Sequence, residues 1–254
     1  MTTVAIIQAR MRSTRLPGKV LADLGGKPVL QWVADAARAI SGVDEAMVAT
    51  STGADDDAVA AWGARSGVRI FRGDEEDVLG RFAGAARLGK ADLIVRVTAD
   101  CPLLDPVEAA KVVAAVAGGD ADYACNNDPP TYPDGLDCEA FTRAALDRGA
   151  AEARRPSERE HVTLFIREPK NGFRRVNIRC PHGDLSGERW TLDTPEDLAL
   201  LRAVVPSLSG TRPPLLTEVL AAIDRSPEVR RINGGIVRNE GLIKSLARDR
   251  AQGF

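Results

Sequence analysis

Two rhythms of apolar residues alternate through the first half of the chain. Short β-prone runs occupy residues 4–8, 45–50, 68–71 and 92–98. Between and after them lie longer stretches, 28–40, 55–66, 78–88 and 106–116, whose apolar positions return every three to four residues. The short runs predict strands and the longer ones amphipathic helices. Pro106 opens the last of these stretches, where its fixed φ and missing N–H suit a first helical turn. Strand and helix in strict alternation predict a mostly parallel sheet covered by helices, joined by right-handed crossovers.

The rhythm breaks after Gly118. Asn126-Asn127-Asp128-Pro129-Pro130-Thr131-Tyr132-Pro133-Asp134-Gly135 is dense in turn formers. A strand is expected near 136–141, helices near 142–153 and 158–167, and an edge or hairpin strand near 173–179. We read 126–180 as an arm inserted into a single domain spanning 1–254. A short strand at 189–193 precedes a helix with Thr194 as N-cap and Asp197 at the capping-box position. A last strong helix is expected over 215–224, and a short one near 241–248 in a polar tail.

Charge narrows the partners. The net charge is −2, so no general affinity for nucleic acid is expected and any cationic site is local. No apolar run reaches membrane-spanning length and no leader-like segment opens the chain, so a cytoplasmic protein is expected. The four cysteines form no Cys-x-x-Cys pair and read as free thiols.

Against that mild background one loop stands out. Between the first strand and the first helix runs Gln8-Ala9-Arg10-Met11-Arg12-Ser13-Thr14-Arg15-Leu16-Pro17-Gly18-Lys19. It contains neither a dinucleotide fingerprint nor a Walker A loop. It reads either as a solvated basic loop or as a cradle for a triphosphate, and the density of cations favours the cradle. A loop there belongs to the carboxyl edge of the sheet, where open α/β sheets bind ligands. Asp100, after the fourth strand, and Asp193, after Trp190-Thr191-Leu192, are each either turn caps or ligands for Mg²⁺. His161 reads equally as a pocket contact or a packed side chain. Asp134 and Asp137 read as pocket or turn residues, Trp32, Trp62 and Trp190 as core wedges, and Asp74-Glu75-Glu76-Asp77 as charges at a helix N-terminus.

The loop, with Leu24-Gly25-Gly26-Lys27-Pro28, resembles the start of the CMP-sugar synthetases, which include the acylneuraminate and 3-deoxy-manno-octulosonate cytidylyltransferases. Phe71-Arg72-Gly73, Thr98-Ala99-Asp100-Cys101-Pro102, Tyr132-Pro133-Asp134-Gly135-Leu136-Asp137, Ser157-Glu158-Arg159-Glu160-His161 and Arg189-Trp190-Thr191-Leu192-Asp193 agree, and they are most similar to the spore-coat-polysaccharide branch. The resemblance covers most of the chain and is weakest in the tail. It implies a three-layer α/β/α Rossmann-like fold of the nucleotide-diphospho-sugar transferase type, with a protruding arm that closes the acceptor site and forms a homodimer contact. It implies a cytidylyltransferase that joins CMP from CTP to a small acidic acceptor and releases pyrophosphate. The alternative is a metal-dependent glycosyltransferase of the same fold using a nucleotide-sugar donor.

By the same resemblance Gln8, Ala9, Arg10, Ser13, Arg15 and Lys19 hold the nucleotide, with Lys19, Arg10, Arg15 and Asp100 catalytic. Ala49, Thr50, Ser51, Arg72 and Gly73 enclose base and ribose, and Asp100 and Asp193 hold Mg²⁺. Asn126, Asp134, Asp137, Arg159 and His161 form the acceptor side, where the sequence departs furthest from the sialate and octulosonate enzymes. Lys19→Ala and Arg15→Ala are expected to weaken triphosphate binding and leave the fold intact, as for surface loops.

Overall fold

Nine strands and ten α-helices make up the computed structural model, which describes residues 1–254. The strands are β1 Thr3–Gln8, β2 Asp23–Leu24, β3 Lys27–Pro28, β4 Glu45–Ser51, β5 Arg69–Gly73, β6 Leu93–Thr98, β7 Tyr123–Cys125, β8 Glu139–Thr142 and β9 Arg175–Asn177. The helices are α1 Val29–Ala39, α2 Asp57–Ser66, α3 Val78–Leu88, α4 Pro106–Ala117, α5 Arg143–Glu152, α6 Pro156–Glu160, α7 Leu164–Arg167, α8 Pro195–Val204, α9 Leu216–Arg225 and α10 Glu240–Ala251. Seven strands form one sheet in the order β5-β4-β1-β6-β8-β7-β9, and β2 pairs with β3 in a small ribbon. The sheet is parallel except for β8, which runs against both its neighbours.

The period of two along β1 explains the layers. Ala5 and Ile7 face a core shared with α1 and α4, while Val4 and Ile6 face the opposite core, built with α3 and α5. All four side chains are fully buried, as expected for a strand covered on both faces. A third cluster gathers Trp32, Leu103, Tyr132 and Trp190 beneath α8 and α9. All three tryptophans are buried.

Where the sequence led us to expect an arm over 126–180, the structure draws β8 and β9 from that stretch into the main sheet. The reason is burial: Ala140 and Phe141 of β8 are fully enclosed, one on each face of the sheet. Helices α5 and α6 of the same stretch pack on α3. The helix expected over 158–167 is two short ones, because Val162 takes a left-handed φ of 53° between them. Ser157 lies inside α6 and not at its cap, which is Arg155. The strand expected over 189–193 does not form; that stretch shares one bridge, Asp134 with Arg189. Thr194 caps α8, reciprocated by Asp197 in a capping box. Asp77 caps α3 by accepting from the Gly80 N–H at 2.8 Å, so the acidic run there serves a helix N-terminus.

Candidate active site

The cation loop after β1 is held in shape by its own backbone. Gly18 N–H closes it onto the Met11 carbonyl at 2.9 Å, and Gly18 has a φ of 74° that favours glycine. Met11 N–H is fixed by Asp56 at 2.6 Å, and Ser13 Oγ accepts from Leu16 N–H at 3.3 Å. This folding turns Gln8, Arg10, Ser13, Arg15 and Lys19 toward an open cleft of about 980 Å³ at the carboxyl edge of the sheet. Ala9 is 2 % exposed and anchors the loop to β4 through a backbone bond to Ala49.

At the floor of the cleft Lys19 joins the two acids. Its Nζ donates to Asp100 Oδ2 at 2.8 Å, to Asp193 Oδ1 at 2.7 Å and to the Leu192 carbonyl at 2.8 Å. An ammonium has three donors, so Lys19 is saturated. Asp193 is brought there by the segment before it. Trp190 N–H bonds the Asp134 carbonyl at 2.7 Å and Leu192 N–H the Asp100 carbonyl at 2.8 Å, which lays residues 190–192 along the end of β6. Only glycine fits at 135 (φ 109°), since a Cβ there would lie 2.5 Å from Thr191 N. Behind the segment, fully buried Asp197 accepts from Arg189 Nε and Nη2 and from the Asp193 and Thr194 N–H groups.

Electrostatics follow from this geometry. Burial disfavours the Asp100 charge, but the Lys19 ammonium outweighs it and brings the carboxyl down to about 2. Burial likewise opposes the Lys19 charge, and Asp100 and Asp193 together outweigh it, so its pKa is raised. Both ends of the pair are therefore charged at neutral pH. Arg15 reaches Asp193 at 3.0 Å and Glu240 at 2.6 Å, while Arg12 pairs with Asp55 at 2.7 Å on the surface.

A second cavity of about 270 Å³ adjoins the first, with Arg15, Asp100, His161 and Asp193 common to both. Asp134 and Asp137 line it. Asp134 is held by Arg189 at 2.6 Å and Asp137 by Arg238 at 2.6 Å. Burial raises the Asp137 carboxyl to about 7 despite Arg238, and Asp134 and Glu139 add to the rise. Burial lowers the pKa of His161, leaving a neutral ring at pH 7. Arg96 and Arg167 complete the wall; Arg96 pairs with buried Glu139 and Arg167 with Asp128.

Two residues expected on the acceptor side lie outside both cavities. Asn126 is 1 % exposed and clamps the backbone, donating to the Leu136 carbonyl and accepting from Cys138 N–H. Its neighbour Asn127 lines the second cavity instead. Arg159 turns away to Asp77 and the Ala150 carbonyl. The stretch expected around base and ribose is likewise set back. Ala49 and Thr50 are fully buried, Ser51 Oγ donates to Asp56 at 2.5 Å, and Arg72 binds the Ser51 and Gly53 carbonyls beside Gly73. None of these lines either cavity, and Ser51 lines a separate small hollow of about 80 Å³ beside Arg12.

The short helix expected near 241–248 appears as α10, but the sequence reading missed its place in the site. Glu240, Lys244 and Arg248 line the main cleft at intervals of four residues, one face of a helix. That spacing was the available signal for the role of a helix read only as part of a polar tail. It also missed Arg189 and Arg238, whose role is to hold acids of the second cavity.

A parallel sheet with cations and paired acids at its carboxyl edge belongs to a nucleotide-handling α/β enzyme. Comparison with known proteins narrows the class. A solved cytidylyltransferase from Leptospira borgpetersenii is 29 % identical, covers 94 % of this chain and 100 % of its own, and superposes with a TM-score of 0.86. The spore coat polysaccharide biosynthesis protein SpsF of Bacillus subtilis is 33 % identical over 231 residues, 88 % of this chain and 94 % of its own. A 3-deoxy-manno-octulosonate cytidylyltransferase of Anaeromyxobacter dehalogenans is 40 % identical over 116 residues, 45 % of this chain and 47 % of its own. The profile of the cytidylyltransferase family matches residues 4–199. The chain belongs to that family, with its CMP-sugar-synthetase-like members, and is a CTP-dependent nucleotidyltransferase.

Proposed function

We propose that the chain transfers CMP from CTP to a hydroxyl of a small acidic sugar. The acceptor oxygen attacks the α-phosphorus and its hydroxyl proton passes to solvent; an O–P bond forms, the bond to the β-phosphate bridge breaks, and pyrophosphate leaves. The observation that carries this reading is the convergence of Asp100 and Asp193 on one point, Lys19 Nζ, below a cleft lined by Arg10 and Arg15. In-line transfer of this kind needs placement and charge neutralisation more than covalent help.

Two carboxylates meeting beneath a phosphate cleft are a donor set that suits Mg²⁺, and Asp100 and Asp193 would hold it. When bound, the ion supplies neutralisation of phosphate charge. Lys19 keeps the two acids together, and Arg10 and Arg15 face the triphosphate. The second cavity takes the acceptor, beside Asp100 and Asp193. There the charges of Asp134 and Glu139 are met by Arg189 and Arg96, while the partner of Arg167, Asp128, is half exposed. Arg167 is thus the cation best placed to receive an acceptor carboxylate. The named activity of the octulosonate relatives supports an acidic sugar, and the name of SpsF supports a role in polysaccharide assembly.

Pyrophosphate release is the test. With Mg²⁺ and a panel of acidic sugars, CTP should support release well above UTP, ATP or GTP. Turnover that prefers a purine triphosphate would remove the cytidylyl reading, and an acceptor series that ignores the carboxylate would remove the acidic-sugar reading.

A further inference from the structure

The cleft is lined by six cations, and their pairing separates them. Arg12 is engaged by Asp55, Arg15 by Asp193 and Glu240, Lys19 by Asp100 and Asp193, and Lys244 by Glu240 at 2.6 Å. Arg10 and Arg248 also line the cleft, and neither makes an ion pair or a side-chain hydrogen bond. One comes from the first loop and the other from the last helix. An unpaired guanidinium on a cleft wall keeps its full charge and its donor fork for an incoming anion.

The placement of Arg248 is built and not incidental. On the inner face of α10, Asp249 is 3 % exposed and accepts from the Ser157 backbone at 3.2 Å and from the Ser157 hydroxyl. Ser245, one turn earlier and 4 % exposed, donates to Glu160 at 2.7 Å. These two buried polar residues fix the rotation of the helix on α6. Lys244 and Arg248 each precede one of them by one position, about 100° around the axis, which turns them to the cleft. At the helix start, Glu240 reaches across to Arg15.

We propose that α10 forms a wall of the nucleotide site and that Arg248 binds the β- and γ-phosphates of the triphosphate opposite Arg10. This rests on the reading that CTP is the substrate. A charge-assisted contact to phosphate of this kind is worth roughly tenfold in affinity.

Calorimetry of the full-length protein with Mg²⁺ and either CTP or CMP tests it. Arg248→Ala and Arg248→Gln should each weaken CTP about tenfold while CMP, which lacks the outer phosphates, stays within about twofold. Arg250→Ala, on the same helix but outside the cleft, should change neither. Melting temperatures should be unaltered, because Ser245 and Asp249 do the anchoring. The proposal is overturned if both Arg248 variants bind CTP like the wild type, or if CTP and CMP weaken equally. A wild-type protein that binds CMP and CTP no better than other nucleotides would instead overturn the substrate reading.

Discussion

Lys19 shows how far a single residue's role depends on what surrounds it. Read as part of a surface loop, it could be removed without harm to the fold. The structure puts it 9 % exposed between two carboxylates, so Lys19→Ala leaves like charges facing each other in a sheltered site. We expect a loss of about 3–5 kcal/mol in chemical denaturation at pH 7, in keeping with a broken buried pair. Asp100 has its native pKa lowered to about 2, so its part of that stability is present above the ordinary value of 3.8 and lost as pH falls toward 2. Lys19 has its pKa raised, so its part is present below 10.5 and lost at higher pH. The gap between wild type and variant should therefore be constant through neutrality and narrow below pH 4. Asp100→Asn and Asp193→Asn should each cut turnover by roughly a hundredfold to a thousandfold, and the double variant little more, since both act on one charge centre. Fully additive rates would separate the two acids. Asp137 behaves oppositely. With a native pKa of about 7 it holds a proton that the unfolded chain has already lost, so its contribution to stability falls as pH rises from about 4 to 7 and is level above. Asp137→Asn should flatten that slope in denaturation measured across the range, and an unchanged slope would refute the assignment.

At the scale of elements, the first half of the chain was legible because local periodicity and burial agree there. The strands expected at 4–8, 45–50, 68–71 and 92–98 appear as β1, β4, β5 and β6, with helices between them. Legibility failed where structure depends on distant contacts. Val162 interrupts a helix by taking a backbone angle its own side chain disfavours, and no neighbouring residue signals it. Asn126 was expected to face a pocket, but its amide is consumed by the backbone of 136–138. Helix α10 is fixed by Ser157 and Glu160, more than eighty positions away, so its polar pattern looked like solvated tail. The start of α8 carries a prediction of its own. Asp197 is the capping-box partner of Thr194, the partner of Arg189 and support for the Asp193 backbone at once. Asp197→Ala should cost about 3–5 kcal/mol in stability and lower turnover at 25 °C in the protein that remains folded. A loss under 1 kcal/mol would reduce it to an ordinary capping-box residue.

On the scale of the whole molecule, no helix is long and apolar enough to cross a membrane, and the four cysteines are free and buried. Strand β9 ends the sheet with Val176 39 % exposed, which leaves one border of the 126–180 segment open. We propose a homodimer through that segment, in keeping with the frequency of two-fold assemblies. Light scattering at micromolar concentration should give twice the chain mass, and Val176→Lys should reduce it to a single mass by charging the edge. A wild-type monomer would refute it.

The pairing of Arg15 with Glu240 links positions 225 residues apart. Synthesis runs from the N-terminus, so Arg15 is made 225 positions before Glu240, and the strands of the sheet are all made between or before them. A nascent chain can therefore own a complete sheet, with Lys19 already seated between its acids, and still lack the side of the cleft that α10 provides. On the proposal that Arg248 holds the outer phosphates, full affinity for CTP waits on the synthesis of α10. A chain cut before Glu240 should, on that proposal, be a weak competitor with intact copies for CTP.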